Sequence, residues 1–120
     1  MEHITQMVTD REIEEAIEKE FNCKVIYAYD MDEVESAPEV FLMYYGKIEP
    51  STNRGYYREY IILEHVTRNP DEDTRFKVIE SLPSKLELVE VTTKYYLEDD
   101  YRNVVQTDRF EFHRKVRMEC

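Results

Sequence analysis

The sequence is poor in glycine, with only Gly46 and Gly55 among its 120 residues. A loop that wraps phosphate groups needs several glycines close together, so a glycine-rich nucleotide-binding loop is excluded. No apolar run approaches the roughly 18 residues needed to span a membrane, and no basic-then-apolar secretion signal opens the chain. The two cysteines, Cys23 and Cys120, lie far apart, as expected for a protein of the reducing cytoplasm.

Basic residues are also few, since 16 Lys and Arg stand against 27 Asp and Glu and give a net charge of −11. This excess repels phosphate groups and argues against ordinary DNA binding. A chain with 42% hydrophobic residues is too apolar to be disordered. Its length is typical of one domain, so we predict a single globular domain over residues 1–120.

The first clear pattern predicts a helix over residues 9–21, preceded by an N-terminal arm at 1–8. Thr9 and Glu12 have the spacing of a capping box, in which each side chain bonds the backbone N–H of the other residue. Apolar residues then recur every three or four positions at Ile13, Ile17 and Phe21. One stripe of this helix should pack, and its other side should be acidic.

A second helix is predicted over residues 69–82. Asn69 is a favourable N-cap, Pro70 suits the first helical position, and Pro83 follows the end. The buried stripe is predicted to be Phe76, Ile79 and Leu82.

The remaining segments favour strands, because they are rich in β-branched and aromatic residues or alternate between apolar and polar. These strands lie at 23–29, 39–46, 56–66, 86–97 and 103–118. In the last of them the alternation predicts an inward face of Val104, Phe110, Phe112, Val116 and Met118. The order is α-β-β-β-α-β-β, which predicts an α+β fold: a mainly antiparallel sheet of about five strands with two packed helices.

The acidic run Glu98, Asp99 and Asp100 lies between the last two strands. Three consecutive carboxylates could hold a cation, but a calcium loop needs a glycine at its sharp turn, and none is present. Polar residues of this kind suit a hairpin tip, so we predict an exposed tip. Metal, cofactor and catalytic residues are not predicted, although His65 and His113 could meet across paired strands.

Charge and tyrosine are unevenly distributed. Residues 1–20 carry seven acids and two bases, whereas 101–120 carry five bases, including Arg114 and Lys115, and three acids. Separate acidic and basic surfaces can meet head to tail between copies, or can be an acidic helix face and a basic edge strand that need no partner. Ten tyrosines include three adjacent pairs, and Tyr56 and Tyr57 precede Arg58. These residues suit either an interface or packing beneath the helices.

The layout resembles the tail terminator, or tail-completion, proteins of long-tailed bacteriophages and prophages. It is carried by an N-terminal amphipathic helix, the strand APEVFLMYY, the segment NRGYYREY that resumes the sheet, a helix and a closing hairpin. The resemblance implies a structural virion protein, assembled in the host cytoplasm, without an active site. It implies a homo-hexameric ring at the head-proximal end of the tail, which binds tail-tube and head-connector proteins and lets DNA pass as cargo.

Under this resemblance, the acidic residues of two loops are candidates either for lining the ring lumen or for docking to a partner protein. One loop contains Asp32, Glu33 and Glu35, and the other contains Glu98, Asp99 and Asp100. The alternative is an acidic DNA mimic that inhibits a nuclease, as anti-restriction or anti-CRISPR proteins do. The basic C-terminal strand argues against a mimic, which needs one continuous acidic face. A metal-dependent nuclease using the run at 98–100 ranks last, because no nearby Lys or His completes a site.

Overall fold

A computed structural model describes residues 3–27, 39–98 and 103–119. Two helices lie against one mixed, curled six-stranded sheet, which confirms the α+β class. The elements in chain order are β1 (His3–Gln6), α1 (Asp10–Phe21), β2 (Val25–Tyr27), β3 (Glu39–Pro50), β4 (Tyr56–Thr67), α2 (Thr74–Ser81), β5 (Glu87–Glu98) and β6 (Asn103–Glu119).

The sheet has the strand order β2-β3-β4-β6, and both β5 and β1 pair with the far side of β6. β5 covers β6 between Asn103 and His113, and β1 covers it from Val116 to Glu119. Among the described strands, every pairing is antiparallel except that of β2 with β3, which is parallel. The sheet is therefore mixed, and the predicted antiparallel pairing holds for the other described strands. Eleven residues, 28–38, separate β2 from β3 in the sequence, which is more than the tight turn that joins an antiparallel hairpin.

The N-terminal segment predicted as an arm contains a strand. Residues 3–6 pair with the end of β6, and the Met7 N–H donates to the carbonyl oxygen of Lys115 at 3.1 Å. Four residues are too few to show an alternating pattern, so the partner strand rather than the local sequence determines this element.

Helix α1 has the predicted bounds and start. The Glu12 N–H donates to the Thr9 hydroxyl, and the Thr9 N–H donates to the Glu12 carboxylate, which completes the capping box. Asn22, in the left-handed conformation with φ of 51°, ends the helix. Ile13 and Ile17 are buried against the sheet.

Helix α2 is shorter than the predicted span of 69–82, because residues 69–73 form an exposed loop and the helix begins only at Thr74. The predicted buried stripe is also partly wrong. Val78 and Leu82, four residues apart, face the core, whereas Phe76 is 61% exposed. A residue two positions from Val78 points to another side of the helix, so Phe76 cannot join the same contact.

The core lies between the two helices and one face of the sheet, here called the helix face. It contains Val8, Ile13, Ile17, Val25, Phe41, Met43, Ile61, Leu63, Val78, Leu82, Leu86, Phe110 and Phe112. The opposite face, here called the second face, also buries Val40, Leu42, Ile62 and Val105. Because β3 lies between β2 and β4 and carries apolar residues on both faces, it is an internal strand, as its sequence indicates.

Candidate functional site

Glu98, the first residue of the acidic run, ends β5 and is held by an ion pair. Arg68 donates from Nε at 2.8 Å and from Nη2 at 2.5 Å to the two carboxylate oxygens of Glu98. These bonds lower the pKa of Glu98 below its ordinary value. Glu98 therefore joins the end of β5 to the end of β4. Asp99 and Asp100 lie outside the described residues, as do Asp32, Glu33 and Glu35.

Arg114 differs from the prediction of an exposed basic residue, because its side chain is fully buried. Its Nη1 donates to Asp10 Oδ1 at 2.6 Å and to the Val8 carbonyl at 3.0 Å. Nε and Nη2 donate to Glu59 Oε1 at 2.9 and 2.7 Å. Tyr45 donates its hydroxyl to Asp10 as well. This cluster joins the start of α1 to the centre of the sheet and leaves Arg114 no surface with which to contact a partner.

His65 and His113 do not meet across the sheet. His65 pairs with Asp108, and His113 pairs with Tyr60. His113 lies five positions after Asp108 along β6, and an odd offset places two residues on opposite faces of a strand, so the two histidines face opposite sides of the sheet. His65 is 1% exposed, its ring stacks on Phe41 with centroids 4.3 Å apart, and its Nε2 lies 3.0 Å from a carboxylate oxygen of Glu39.

Asp108 forms the centre of this second buried polar cluster. It accepts hydrogen bonds from Thr93 Oγ1 at 2.7 Å and from Gln106 Nε2 at 3.0 Å. Burial raises the pKa of Asp108, but the nearby imidazole of His65 and the bonds from Thr93 and Gln106 lower it more, so that it lies below the ordinary value. The side chains of His65, Gln106 and Asp108 are at most 1% exposed, so the cluster holds the sheet together rather than presenting reactive groups.

Cys23 lies beside this cluster and donates its thiol to the Glu39 carbonyl at 3.5 Å. Burial, with the negative charge of Glu39, raises the pKa of the Cys23 thiol. A thiol with a raised pKa stays protonated and is a poor nucleophile. The cysteine is therefore best understood as a packing residue.

Exposed large apolar side chains cluster at the two ends of the long strands. Val104 and Met118 are fourteen positions apart on β6, or roughly 45 Å at the usual rise per residue, and the molecule is 56 Å long. At one end is the distal patch, defined as Tyr95, Leu97 and Val104 on the helix face and Tyr96 on the second face, each between 39% and 58% exposed. At the other is the proximal patch, defined as Ile4, Ile48 and Met118, each between 37% and 64% exposed.

The predicted aromatic and basic residues of β4 lie at the proximal end. Tyr57 lines a groove of about 200 Å³ together with the proximal patch. Tyr56 lies on the second face, with Lys115 Nζ 5.8 Å and Arg117 Cζ 5.5 Å from its ring centre. The structure thus brings Tyr56, Tyr57, Arg58 and Lys115 to one end of the molecule.

Arg58 and Lys115 also line a pocket of about 390 Å³ on the second face, between the ends of β1 and β5. The basic pocket, as it is called below, is lined by Met7, Ser51, Arg58, Lys85, Glu87, His113 and Lys115. Glu87 lies 3.5 Å from His113 Nε2. Three permanent cations therefore share one concavity in a strongly acidic protein.

Sequence reasoning missed Lys85, Ile4 and Ile48. Lys85 lies in the short connection after α2, and Ile48 follows a register shift in β3 after Tyr45. An exposed apolar residue inside an otherwise polar segment, as in GKIEP, is the signal that marks Ile48.

Comparison with known proteins gives no family for this chain. The sequence matches no known family, and no curated protein sequence matches it either. Neither of the two helices described has the length and apolarity needed to cross a membrane. Within residues 3–27, 39–98 and 103–119, no group of three or more His, Cys, Asp or Glu side chains is arranged to hold a metal ion.

Proposed function

We propose that this chain is a structural assembly protein of the phage tail-terminator type, which forms a ring of copies, about six, and caps the tail tube below the head connector. The observation that carries the proposal is the pair of exposed apolar patches at opposite ends of the long sheet. Exposed clusters of large apolar side chains mark surfaces that a partner covers.

The placement of the patches favours contact in one direction around a ring. The distal and proximal patches contain different residues and lie roughly 45 Å apart by strand rise, so one copy cannot bring them together. Contact between the distal patch of one copy and the proximal patch of the next joins two different surfaces. Contacts of that kind close into rings when the rotation per copy is suitable.

The free edge of β5 is the surface we assign to the tail tube. Among the described strands, β5 pairs only with β6, so its outer backbone groups are free to pair with another chain. Leu88 and Val89, at the register shift near its start, are 42% and 45% exposed. A twelve-residue strand with an apolar edge suits docking to another sheet.

The charge of the chain suits the passage of DNA through a ring. A net charge of −11 per copy would give a ring a negative potential, which repels phosphate and lets DNA slide without sticking. The location proposed on this basis is the virion tail, after assembly in the host cytoplasm.

The test is the mass of the protein in solution, measured by size-exclusion chromatography with light scattering and followed by negative-stain microscopy. It is applied to the protein alone and with tail-tube protein, because the tube end can be needed to start the ring. We expect rings of about six copies, or caps on tube ends. Ile48→Arg and Leu97→Arg should each prevent ring formation, and Phe76→Arg, an equally exposed residue outside both patches, should leave it unchanged.

Mixing the two patch variants gives a sharper result. Ile48→Arg keeps an intact distal patch, and Leu97→Arg keeps an intact proximal patch. The mixture should therefore form dimers and nothing larger. Rings that survive both substitutions would refute the assigned contact. A protein that neither assembles nor binds tubes, and that instead binds a nuclease tightly, would favour the DNA-mimic alternative.

A further inference from the structure

Two of the three cations that line the basic pocket have no ion-pair partner among the described residues. Lys85 and Lys115 are exposed, and neither has a carboxylate partner among the ion pairs of the described residues. Arg58 lies 3.2 Å from Glu49, and the exposed carboxylate of Glu87 lies 3.5 Å from His113 Nε2, so one acid stands among the three cations of the pocket. In a chain with eleven more acids than bases, unmatched cations in one concavity attract a carboxylate ligand.

At the opposite end of the molecule, an acidic segment also lacks ion-pair partners among the described residues. The acidic loop, defined as Asp71, Glu72 and Asp73, is exposed at every position and precedes α2. Asp71 accepts a bond from the Asp73 N–H. Asp73 caps α2 by its position but makes no side-chain capping bond. Within the described part of the chain, none of these three carboxylates has a basic partner within ion-pair distance.

The two features cannot meet within one molecule. Arg58 lies near the start of β4, and the acidic loop follows its end at Thr67. Nine positions of strand separate Arg58 from Thr67, which is roughly 30 Å at the usual rise per residue. At ordinary salt this exceeds the distance over which exposed charges act, which is about 8–10 Å.

We infer that the basic pocket binds the acidic loop of a second copy of this chain. The inference rests on the proposed ring and names a polar contact within it. The pocket lies at the same end as the proximal patch, and the loop lies at the same end as the distal patch. The contact between pocket and loop and the contact between the two patches therefore both join the proximal end of one copy to the distal end of the next. Complementary charges beside the apolar contact fix how the two copies are oriented.

Charge reversal separates this contact from a general effect of net charge. Lys85→Glu/Lys115→Glu reverses the charge of the two lysine positions in the pocket. It changes the net charge from −11 to −15, since each Lys-to-Glu substitution makes the net charge more negative by two. Glu72→Lys/Asp73→Lys reverses the loop and changes the net charge to −7 in the same way. Asp71 is kept because its side chain holds the loop.

The expected result, by sedimentation velocity, is that each reversed variant associates at least tenfold more weakly than the original protein. The loop variant is decisive, because lower net charge alone would strengthen association. The controls reverse exposed helix residues with the same change of charge: Lys19→Glu/Lys77→Glu, and Glu18→Lys/Glu20→Lys. Both should associate within about threefold of the original protein. Circular dichroism checks that all four variants are folded.

Mixing the two reversed variants should restore association to within about threefold of the original, because each then meets a pocket and a loop of opposite sign. Restoration supports the inference even if either variant alone is altered in another way. Association that is unaffected by pocket or loop reversal overturns the inference and leaves the proposed ring standing. An original protein that stays monomeric with and without tube protein overturns both.

Discussion

Arg114 offers the most direct test of how this fold is held together. Its guanidinium is fully buried and is shared between Asp10 of α1 and Glu59 of β4. Arg114→Met keeps much of the apolar stem and removes the charge. The substitution leaves two partly buried carboxylates facing the same space without a cation between them.

The size of the effect follows from the burial of the three groups. Removing one partner of a buried ion pair typically costs about 3–5 kcal/mol, because a buried charge is left uncompensated. Asp10 and Glu59 keep 24% and 16% of their side-chain surface in water, so we expect the lower end, about 3 kcal/mol. Domains of this size are stable by about 5–15 kcal/mol. The variant should therefore fold with a melting temperature lower by about 10 °C.

Urea unfolding followed by far-ultraviolet circular dichroism measures this loss without depending on tryptophan, which the chain lacks. The control is Arg11→Met, which removes an exposed pair with Glu15 on α1 and should cost at most about 0.5 kcal/mol. Adding Glu59→Gln to Arg114→Met should recover part of the loss, because one of the two like charges is then gone. A loss below about 1 kcal/mol for Arg114→Met would refute the view that this cluster stabilises the fold.

Three further perturbations test other parts of the structure. Replacing the acidic run at 98–100 by Asn and Gln should leave the urea-unfolding midpoint nearly unchanged, because the pair of Glu98 with Arg68 is open to solvent; a large shift of the midpoint would contradict an exposed hairpin tip. Asp108→Asn should cost about 1–3 kcal/mol at pH 7. Because the folded pKa of Asp108 lies below the ordinary value of an aspartate, the charged carboxylate stabilises the fold at pH values above that ordinary value. The difference from the variant should shrink as the pH falls through the folded pKa, and a constant difference would refute the assignment. Thr9→Ala should cost about 1 kcal/mol by removing the capping box of α1, and thermal melts would show the reasoning to be wrong if they did not change.

Local sequence signals predicted the elements that local physics determines. The capping box and the apolar spacing of Ile13 and Ile17 are contained within a dozen residues, and they gave α1 its correct bounds. The alternation of Phe110 and Phe112 likewise placed one face of β6 in the core. The helical pattern at 69–82 was less reliable, because Asn69 and Pro70 are also good loop residues, and the helix begins only at Thr74.

The surfaces proposed for assembly were less accessible to sequence reasoning. Val104 and Met118 fit the inward alternation of β6, yet they are 39% and 37% exposed. Alternation assigns a residue to a face of the sheet, but only the position of the helices decides how much of that face is covered. In the same way, Arg114 and Lys115 are indistinguishable neighbours in the sequence. The first lies on the helix face beneath α1, and the second lies on the opposite face.

The sequence by itself determined the α+β class, the bounds of α1 and the acidity of the chain. Each of these follows from amino-acid composition or from the spacing of apolar residues within a short segment. Only the tertiary structure decided that β2 runs parallel to β3 and that residues 3–6 form a strand. Only the tertiary structure, too, brought Arg58, Lys85 and Lys115 into one pocket. These features depend on pairing between segments far apart in the chain, and local preferences do not encode which partner a strand finds.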